Sequence, residues 1–222
     1  MGALIFDFDG VIADSEALAN TVLAETVTSL GHATTLDQAL ARYSGRRWDE
    51  VLTEIEAAIG APLPADFSGE LKRATLARFR TDLKEVRGAT KFIERFRQLP
   101  RGIASSSSID RLELCLSVLG LQAQFGDNVF SADMVERGKP HPDIFLLAAD
   151  RLAASPQACL VIEDSASGIR AAVAAGMTAV GLCAASHIRE GHERKLREAG
   201  AAYLARSWSE AEQMALQFFA LK

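Results

Sequence analysis

The sequence predicts an α/β protein, in which a Rossmann-like, doubly wound parallel sheet carries an inserted all-helical cap domain. From about residue 88 onward, short apolar runs typical of buried strands alternate with amphipathic helical segments. Such alternation predicts a parallel sheet that is covered by helices on both faces. Residues 15–84, in contrast, contain helical patterns and no convincing strand. We therefore expect a core domain of residues 1–14 and 85–222 and a cap domain of residues 15–84.

The first strand covers Leu4 to Phe6, a bulky apolar run of the kind that parallel sheets bury. Helical patterns follow, in which apolar residues recur at intervals of three and four. The first helix begins after Ser15 and ends at Gly31. The other helices predicted in the cap domain are 35–43, 48–59 and 68–82.

The rest of the chain alternates between helix and strand. Pro142 suits the first turn of a helix, and Gly176 suits a helix end. The predicted strands are 102–104, 129–130, 160–162, 177–182 and 203–204. The predicted helices are 89–98, 109–119, 142–153, 165–175, 188–199 and 208–219.

The overall composition excludes several classes of protein. Of the 222 residues, 49% are hydrophobic, which supports a sizeable core, and the net charge of -5 argues against a nucleic-acid partner. No apolar run approaches the length of a membrane span, and no signal-peptide pattern opens the chain. Cys115, Cys159 and Cys183 are far apart, so we interpret them as free, buried thiols. We therefore expect a cytoplasmic monomer with no membrane partner.

Two aspartates follow the first strand, at the edge where open α/β sheets bind ligands. In a strand, residues i and i+2 point the same way, so Asp7 and Asp9 would face one point while Phe8 turns back to the core. Two close carboxylates repel each other unless a cation or a shared proton relieves them. Magnesium is suited to this task because it takes oxygen ligands. Gly10 would let the backbone turn sharply beside the site.

Three further motifs lie at predicted strand ends or helix starts. The run 105–108 consists of serines that would bind an anion at a helix N-terminus or simply cap that helix. Lys139 lies in a loop that two prolines stiffen, where it would bind a phosphate or be an ordinary surface lysine. Glu163 and Asp164 follow the buried strand 160–162, where they would hold a metal, or one of them would cap the next helix.

In this order, the four motifs resemble those of the haloacid dehalogenase-like hydrolase superfamily. The branch that is most similar has its cap domain inserted just after the first motif. The strings that carry the resemblance are Asp7-Phe8-Asp9-Gly10-Val11-Ile12-Ala13-Asp14-Ser15-Glu16, Gly138-Lys139-Pro140-His141-Pro142 and Glu163-Asp164-Ser165. Their joint occurrence spans nearly the whole predicted core.

The resemblance implies a catalytic role for each motif. Asp7 would be the nucleophile that forms an aspartyl-phosphate, and Asp9 would protonate the leaving oxygen and later deprotonate the attacking water. Ser105 and the backbone at Ser106 would bind the phosphoryl group. Lys139 would bind phosphate and offset the charge on Asp7.

The same resemblance implies Mg²⁺ as the cofactor. Asp7, the main-chain carbonyl of Asp9 and Asp164 would coordinate the ion, and Glu163 would support it directly or through water. The acid at Asp9 and the later acidic pair favour phosphoryl transfer over cleavage of a carbon–halogen bond.

The function that follows is hydrolysis of a small phosphorylated metabolite, either a sugar phosphate or a sugar-acid phosphate such as 6-phosphogluconate. One alternative is a phosphomutase similar to β-phosphoglucomutase, although Ala19 stands where those enzymes typically carry a histidine. A second alternative is a non-catalytic protein that binds a phosphorylated ligand on the same fold. We expect substrate choice to depend on Gly45, Arg46 and Arg47, in a turn between two cap helices. Hinges for cap closure are expected near Asp14-Ser15 and within 82–87.

Overall fold

In the computed structural model, which describes residues 2–220, the chain forms two compact units. One unit combines the chain up to Asp14 with the chain from Lys84 onward, and the other spans Ser15–Leu83. The strands are β1 (Ala3–Phe6), β2 (Arg101–Ser105), β3 (Val129–Ser131), β4 (Cys159–Glu163), β5 (Thr178–Leu182) and β6 (Tyr203–Ala205). The helices are α1 (Ser15–Ser29), α2 (Leu36–Tyr43), α3 (Trp48–Ile59), α4 (Phe67–Asp82), α5 (Ala89–Arg95), α6 (Ile109–Leu119), α7 (Gln122–Phe125), α8 (Asp143–Arg151), α9 (Ala166–Ala174), α10 (His192–Glu198) and α11 (Trp208–Phe218).

All six strands pair in parallel in the order β3-β2-β1-β4-β5-β6, which confirms the predicted fold class. The chain enters the sheet at β1, builds outward through β2 and β3, and then returns to the other side of β1 as β4. Ligands of doubly wound sheets bind where the strand order reverses, beyond the carboxyl ends of the strands. The switch point in this sheet lies between β1 and β4.

Side chains of β1 alternate between two buried faces of the sheet. Ala3 and Ile5 pack into a cluster with residues of α8 and α9, including Phe145. Phe6 faces the other way, and its ring centroid lies 5.9 Å from that of Phe92 in α5. Phe92 in turn lies 4.6 Å from the indole of Trp208 in α11. Helices on both faces bury β1 completely, as the apolar run at its position predicts.

The unit Ser15–Leu83 contains only helices, α1 to α4, among its regular elements. It has an apolar core of its own, to which Val27, Tyr43, Ile55 and Phe67 contribute. The start of α2 carries a capping box, because Thr35 and Gln38 satisfy each other's backbone N–H groups.

The chain segments that border this insertion are hydrogen-bonded to each other. The N–H of Asp14 donates to the carbonyl of Lys84 at 2.9 Å, and that of Val86 donates to the carbonyl of Ile12 at 2.8 Å. These bonds lie next to the positions at which we predict hinges.

Some elements differ from the sequence-based prediction. The helix predicted over 188–199 begins only at His192, because Gly191 adopts a left-handed backbone with φ 81°. The preceding residues instead form a loop after β5. The helix α5 ends at Arg95 rather than at residue 98, and the short helix α7 was not predicted.

The three cysteines are free, and Cys115 and Cys159 are buried. Cys183 is only partly buried, so the expectation of a buried thiol is wrong at that position. Burial raises the pKa of Cys115 to about 12 and those of Cys159 and Cys183 to about 11. All three therefore stay protonated at neutral pH, as the interpretation of them as packing residues requires. Within residues 2–220, no helix has both the length and the apolar character needed to cross a bilayer.

Replacement of Phe92 by alanine tests the aromatic cluster. Because Phe92 is 2% exposed and contacts the rings of Phe6 and Trp208, we expect Phe92→Ala to lower the free energy of unfolding by about 3–5 kcal/mol. Urea denaturation measures this loss. The control is Leu146→Ala, which removes an apolar side chain that is 41% exposed and should change stability by less than about 0.5 kcal/mol. Equal effects of the two substitutions would contradict this account of the core.

Candidate active site

Three acidic side chains meet at the switch point between β1 and β4. Phe6 pairs with Ile162 across these strands, and the N–H of Asp7 donates to the Ile162 carbonyl at 2.9 Å. This register brings Asp7 beside Glu163 at the end of β4. Each of Asp7, Glu163 and Asp164 offers a carboxylate oxygen within 4.8 Å of the others, and all three residues are buried.

Lys139 lies within this acidic cluster. Its Nζ donates to Oδ1 of Asp7 at 2.6 Å and to Oε1 of Glu163 at 2.8 Å. The ammonium also lies 4.9 Å from the centre of the Phe145 ring, and the side chain is only 4% exposed. The alternative of an ordinary surface lysine is therefore wrong.

Burial and charge together set the protonation of this cluster. Burial raises the pKa of Asp7 well above its usual value; Lys139 opposes this shift, whereas Glu163 and Asp164 add to it. Burial alone would lower the pKa of Lys139, but Asp7 and Glu163 outweigh burial and raise it. Lys139 therefore remains charged at neutral pH, and Asp7 needs further positive charge to be a stable anion.

The donor set fits a hard divalent cation. Three carboxylates and the one ammonium of Lys139 leave a formal charge of -2 at the cluster, which a divalent ion would neutralise. Both oxygens of Glu163 already accept hydrogen bonds, from Lys139 at 2.8 Å and from the N–H of Ser165 at 2.6 Å. Asp7 and Asp164 are thus the more available side-chain ligands, and the Glu163 carboxylate is better placed to support an ion through water.

The carboxylate of Asp9 lies outside this acidic cluster and has different partners. Ser107 donates its hydroxyl to Oδ2 at 2.5 Å, and the guanidinium of Arg111 in α6 donates to Oδ1, also at 2.5 Å. Phe8 between the two aspartates is completely buried, as the expected alternation requires. The sequence indicated neither Ser107 nor Arg111 as a partner of Asp9, because both come from the segment after β2, about 100 residues along the chain.

The serines of the run 105–108 have different environments. Ser105, at the end of β2, is buried, and its hydroxyl accepts a hydrogen bond from the N–H of Ser107 at 3.1 Å. Ser106 is exposed. Ser108 is the N-cap residue of α6, but its side chain makes no capping bond. After β4, Ser165 rather than Glu163 or Asp164 caps the next helix, α9, so the capping interpretation of the acidic pair is wrong.

Two histidines that the sequence analysis did not identify contact Asp164. Nε2 of His187 lies 3.1 Å from Oδ2 of Asp164, and Nε2 of His192 donates to the main-chain carbonyl of Asp164 at 2.6 Å. Burial lowers the pKa of His192, so its ring is neutral at pH 7. His192 lies within the predicted helix 188–199, and His187 lies just before it. The sequence-based prediction therefore missed most of the loop between β5 and α10, which presents His187.

The candidate substrate residues of the unit Ser15–Leu83 lie between α2 and α3. Gly45 has a φ of 73° and open space around its Cα. Arg46 forms ion pairs with Glu50 and Glu54, and Arg47 pairs with Asp49 at 2.7 Å. Both arginines are exposed, so these pairs are weak and could exchange for a ligand anion.

Comparison with known proteins supports the family that the order of motifs indicates. A family model described as haloacid dehalogenase-like hydrolase matches residues 1–176, which confirms the resemblance. The fructose-1-phosphate phosphatase YqaB of Escherichia coli is 31% identical over 177 residues, covering 80% of this chain and 94% of that protein. The 6-phosphogluconate phosphatase of Escherichia coli is 24% identical over 186 residues, covering 83% of this chain and 84% of that protein.

A solved structure also matches nearly the full chain. The crystal structure of a HAD family hydrolase from Deinococcus radiodurans, with bound phosphate and sodium, superimposes with a TM-score of 0.85 at 31% identity. The match covers 100% of this chain and 98% of the other.

Two glycines provide a test of the packing around Asp164. Both Gly10 and Gly60 have a left-handed backbone, with φ of 75° and 73°, so alanine at either should cost about 1–2 kcal/mol of stability. A Cβ on Gly10 would lie 1.9 Å from Oδ2 of Asp164, whereas one on Gly60 would meet nothing within 4 Å. We therefore expect Mg²⁺ to raise the melting temperature of the wild type and of Gly60→Ala, but not that of Gly10→Ala. An unchanged rise in Gly10→Ala would contradict a role for Asp164 in holding the ion.

Proposed function

The chain belongs to the haloacid dehalogenase-like hydrolases, and we propose that it is a magnesium-dependent phosphatase acting on a small phosphorylated metabolite. The observation that carries this proposal is the contact of Lys139 with both Asp7 and Glu163 inside a buried acidic cluster. Phosphoryl transfer depends mainly on positioning and on neutralising the charge of the transferred group. A fixed ammonium beside a nucleophilic carboxylate suits both tasks.

In the proposed reaction, an oxygen of Asp7 attacks phosphorus and forms an aspartyl-phosphate while the bond to the leaving oxygen breaks. Asp9 gives its proton to that leaving oxygen. Asp9 then takes a proton from a water molecule, which attacks phosphorus and releases inorganic phosphate and free Asp7. The nucleophile Asp7 and the acid Asp9 are thus two residues apart in the chain, and their carboxylates have different hydrogen-bond partners.

The remaining motif residues bind the phosphoryl group. Lys139 neutralises part of its charge, and the Ser105 hydroxyl and the backbone at Ser106 donate hydrogen bonds to its oxygens. The magnesium ion would be held by Asp7, Asp164 and the main-chain carbonyl of Asp9, with Glu163 supporting it. When bound, it supplies positive charge that attracts the phosphoryl oxygens and stabilises their charge in the transition state.

We propose a sugar phosphate or sugar-acid phosphate as the substrate. Two similar proteins are named for fructose 1-phosphate and for 6-phosphogluconate, which are small, polar and anionic. In the cap domain, Arg46 and Arg47 beside the turn at Gly45 offer exposed guanidinium groups for a hydroxyl-rich or carboxylate-bearing molecule. A phosphomutase reaction is the alternative, and the small side chain of Ala19 counts against it.

The first experiment measures phosphate release from a panel of phosphorylated sugars and sugar acids, with Mg²⁺ and with EDTA. We expect turnover that needs Mg²⁺ and that falls on the order of a thousandfold or more in Asp7→Asn, which lacks the nucleophile. The control is Asp127→Asn, an exposed position away from the cluster, which should keep wild-type activity. If wild type releases no phosphate, an isomerisation assay on the same compounds distinguishes a mutase from a non-catalytic binding protein.

The proposed role of Asp9 predicts different results for two leaving groups. A nitrophenolate leaves without a proton, whereas a sugar alkoxide needs one, so Asp9→Asn should slow the first step by about 100- to 10,000-fold only for the sugar phosphate. With p-nitrophenyl phosphate, stopped-flow absorbance should show a burst of nitrophenolate followed by slow turnover, since the later water attack still lacks its base. Equal slowing of the first step for both substrates would contradict the role of Asp9 as the acid.

A further inference from the structure

We propose that His187 is a positioning residue, which holds the Asp164 carboxylate in the orientation that a bound divalent cation requires. This inference rests on the proposed magnesium-dependent function. None of the four motifs contains His187, which lies in the loop between β5 and α10.

The contact is direct and shielded from solvent. Nε2 of His187 lies 3.1 Å from Oδ2 of Asp164, and the two side chains are 12% and 7% exposed. A neutral imidazole with its hydrogen on Nε2 already donates to a carboxylate, so the contact does not require a charged ring. Asp164 follows the last residue of β4 and so lies beyond the backbone hydrogen bonds of the sheet. The orientation of its side chain therefore depends on other contacts.

The loop that presents His187 is anchored to the core through Ser186 and has internal hydrogen bonds from Arg189. Ser186 donates its N–H and its hydroxyl to Oδ1 of Asp14, at 3.0 and 2.9 Å. Arg189 donates to the carbonyls of Ser186 and Ile188, at 2.8 and 3.1 Å. These bonds place the imidazole before any ion binds, because they involve neither Asp7 nor Asp164.

Asp164 is held at two points by one segment of chain. Besides the contact of its side chain with His187, its main-chain carbonyl accepts a hydrogen bond from His192 at 2.6 Å. The third neighbour is Gly10: a Cβ built there would lie 1.9 Å from Oδ2 of Asp164 and 2.8 Å from Cε1 of His187. The oxygen Oδ2 is thus confined between the Gly10 backbone and the His187 ring.

Such confinement matters because the carboxylates of the acidic cluster repel one another. Asp7, Glu163 and Asp164 are close carboxylates, and Lys139 contacts the first two. Asp164 would lower this repulsion by turning away from the cluster, which would remove a ligand. A hydrogen bond from His187 opposes that rotation, as outer-shell partners of metal ligands do in other sites.

Two substitutions at His187 separate a hydrogen bond from simple packing. Glutamine keeps an amide donor at about the reach of Nε2, whereas leucine fills the space without a donor. The readout is Mn²⁺ binding to the substrate-free protein, followed by the EPR signal of free Mn²⁺, with competition by Mg²⁺. We expect His187→Leu to weaken binding about 10- to 100-fold and His187→Gln to stay near the wild type. His32→Leu, in the unit Ser15–Leu83, is the matched control and should bind Mn²⁺ as the wild type does.

Each other outcome has a definite meaning. Wild-type Mn²⁺ affinity in His187→Leu would overturn the inference even if activity fell, and so would equally weak binding by the glutamine and leucine variants. Absence of Mn²⁺ binding by the wild type would overturn it too. If binding follows the expected pattern but no metabolite releases phosphate, the positioning role stands and the proposed phosphatase function fails. Thermal unfolding of each variant shows that it is folded before binding is compared.

Discussion

The arrangement of buried charge around Lys139 is the constraint on which the active site depends. Asp7, Glu163 and Asp164 lie in a region from which solvent is nearly excluded, and Lys139 contacts the first two of them. Removal of one partner from such a group leaves an uncompensated buried charge, which typically costs about 3–5 kcal/mol. One ammonium cannot balance three carboxylates, and burial, together with the neighbouring Glu163 and Asp164, raises the pKa of Asp7. The same imbalance makes the cluster suited to a divalent cation and to a phosphoryl group together.

The sheet topology explains why these groups meet. The strands β1 and β4 are adjacent but about 155 residues apart in the chain, and their parallel register places Asp7 next to Glu163. Lys139 approaches from the loop before α8, a helix that packs on the same sheet face as Ile5. The three carboxylates therefore lie at the ends of rigid strands, which fix charge positions better than a free loop would, and Lys139 lies in a short loop next to a packed helix.

Sequence reasoning identified the parts of the site that are local in the chain. The two aspartates, Lys139 and the pair Glu163-Asp164 could be recognised because each follows an apolar strand or precedes a helix. The alternation of elements predicted a parallel sheet, but periodicity carries no information about strand order. Strand bounds were close to the observed ones, since buried apolar runs are short and clearly delimited.

The contacts that could not be predicted join segments far apart in sequence. Arg111 reaches Asp9 across 102 positions, and His187 reaches Asp164 from a loop whose later residues, from 188 onward, were predicted to be helical. Neither residue has a sequence signal of its own, because a lone arginine on a helix or a lone histidine in a polar stretch is common. Their roles depend on the strand order β2-β1-β4-β5, which brings the two segments to the same edge.

The two aspartates after β1 show how one local motif acquires two different environments. Their side chains are chemically identical and lie two residues apart, but they face different neighbours. Asp7 contacts a buried ammonium on the β4 side, whereas Asp9 contacts a hydroxyl and a guanidinium from the segment after β2. Because β1 lies between β2 and β4, each aspartate meets groups from one side of the central strand. The central position of β1 thus makes the two carboxylates inequivalent, as their proposed roles of nucleophile and acid–base residue require.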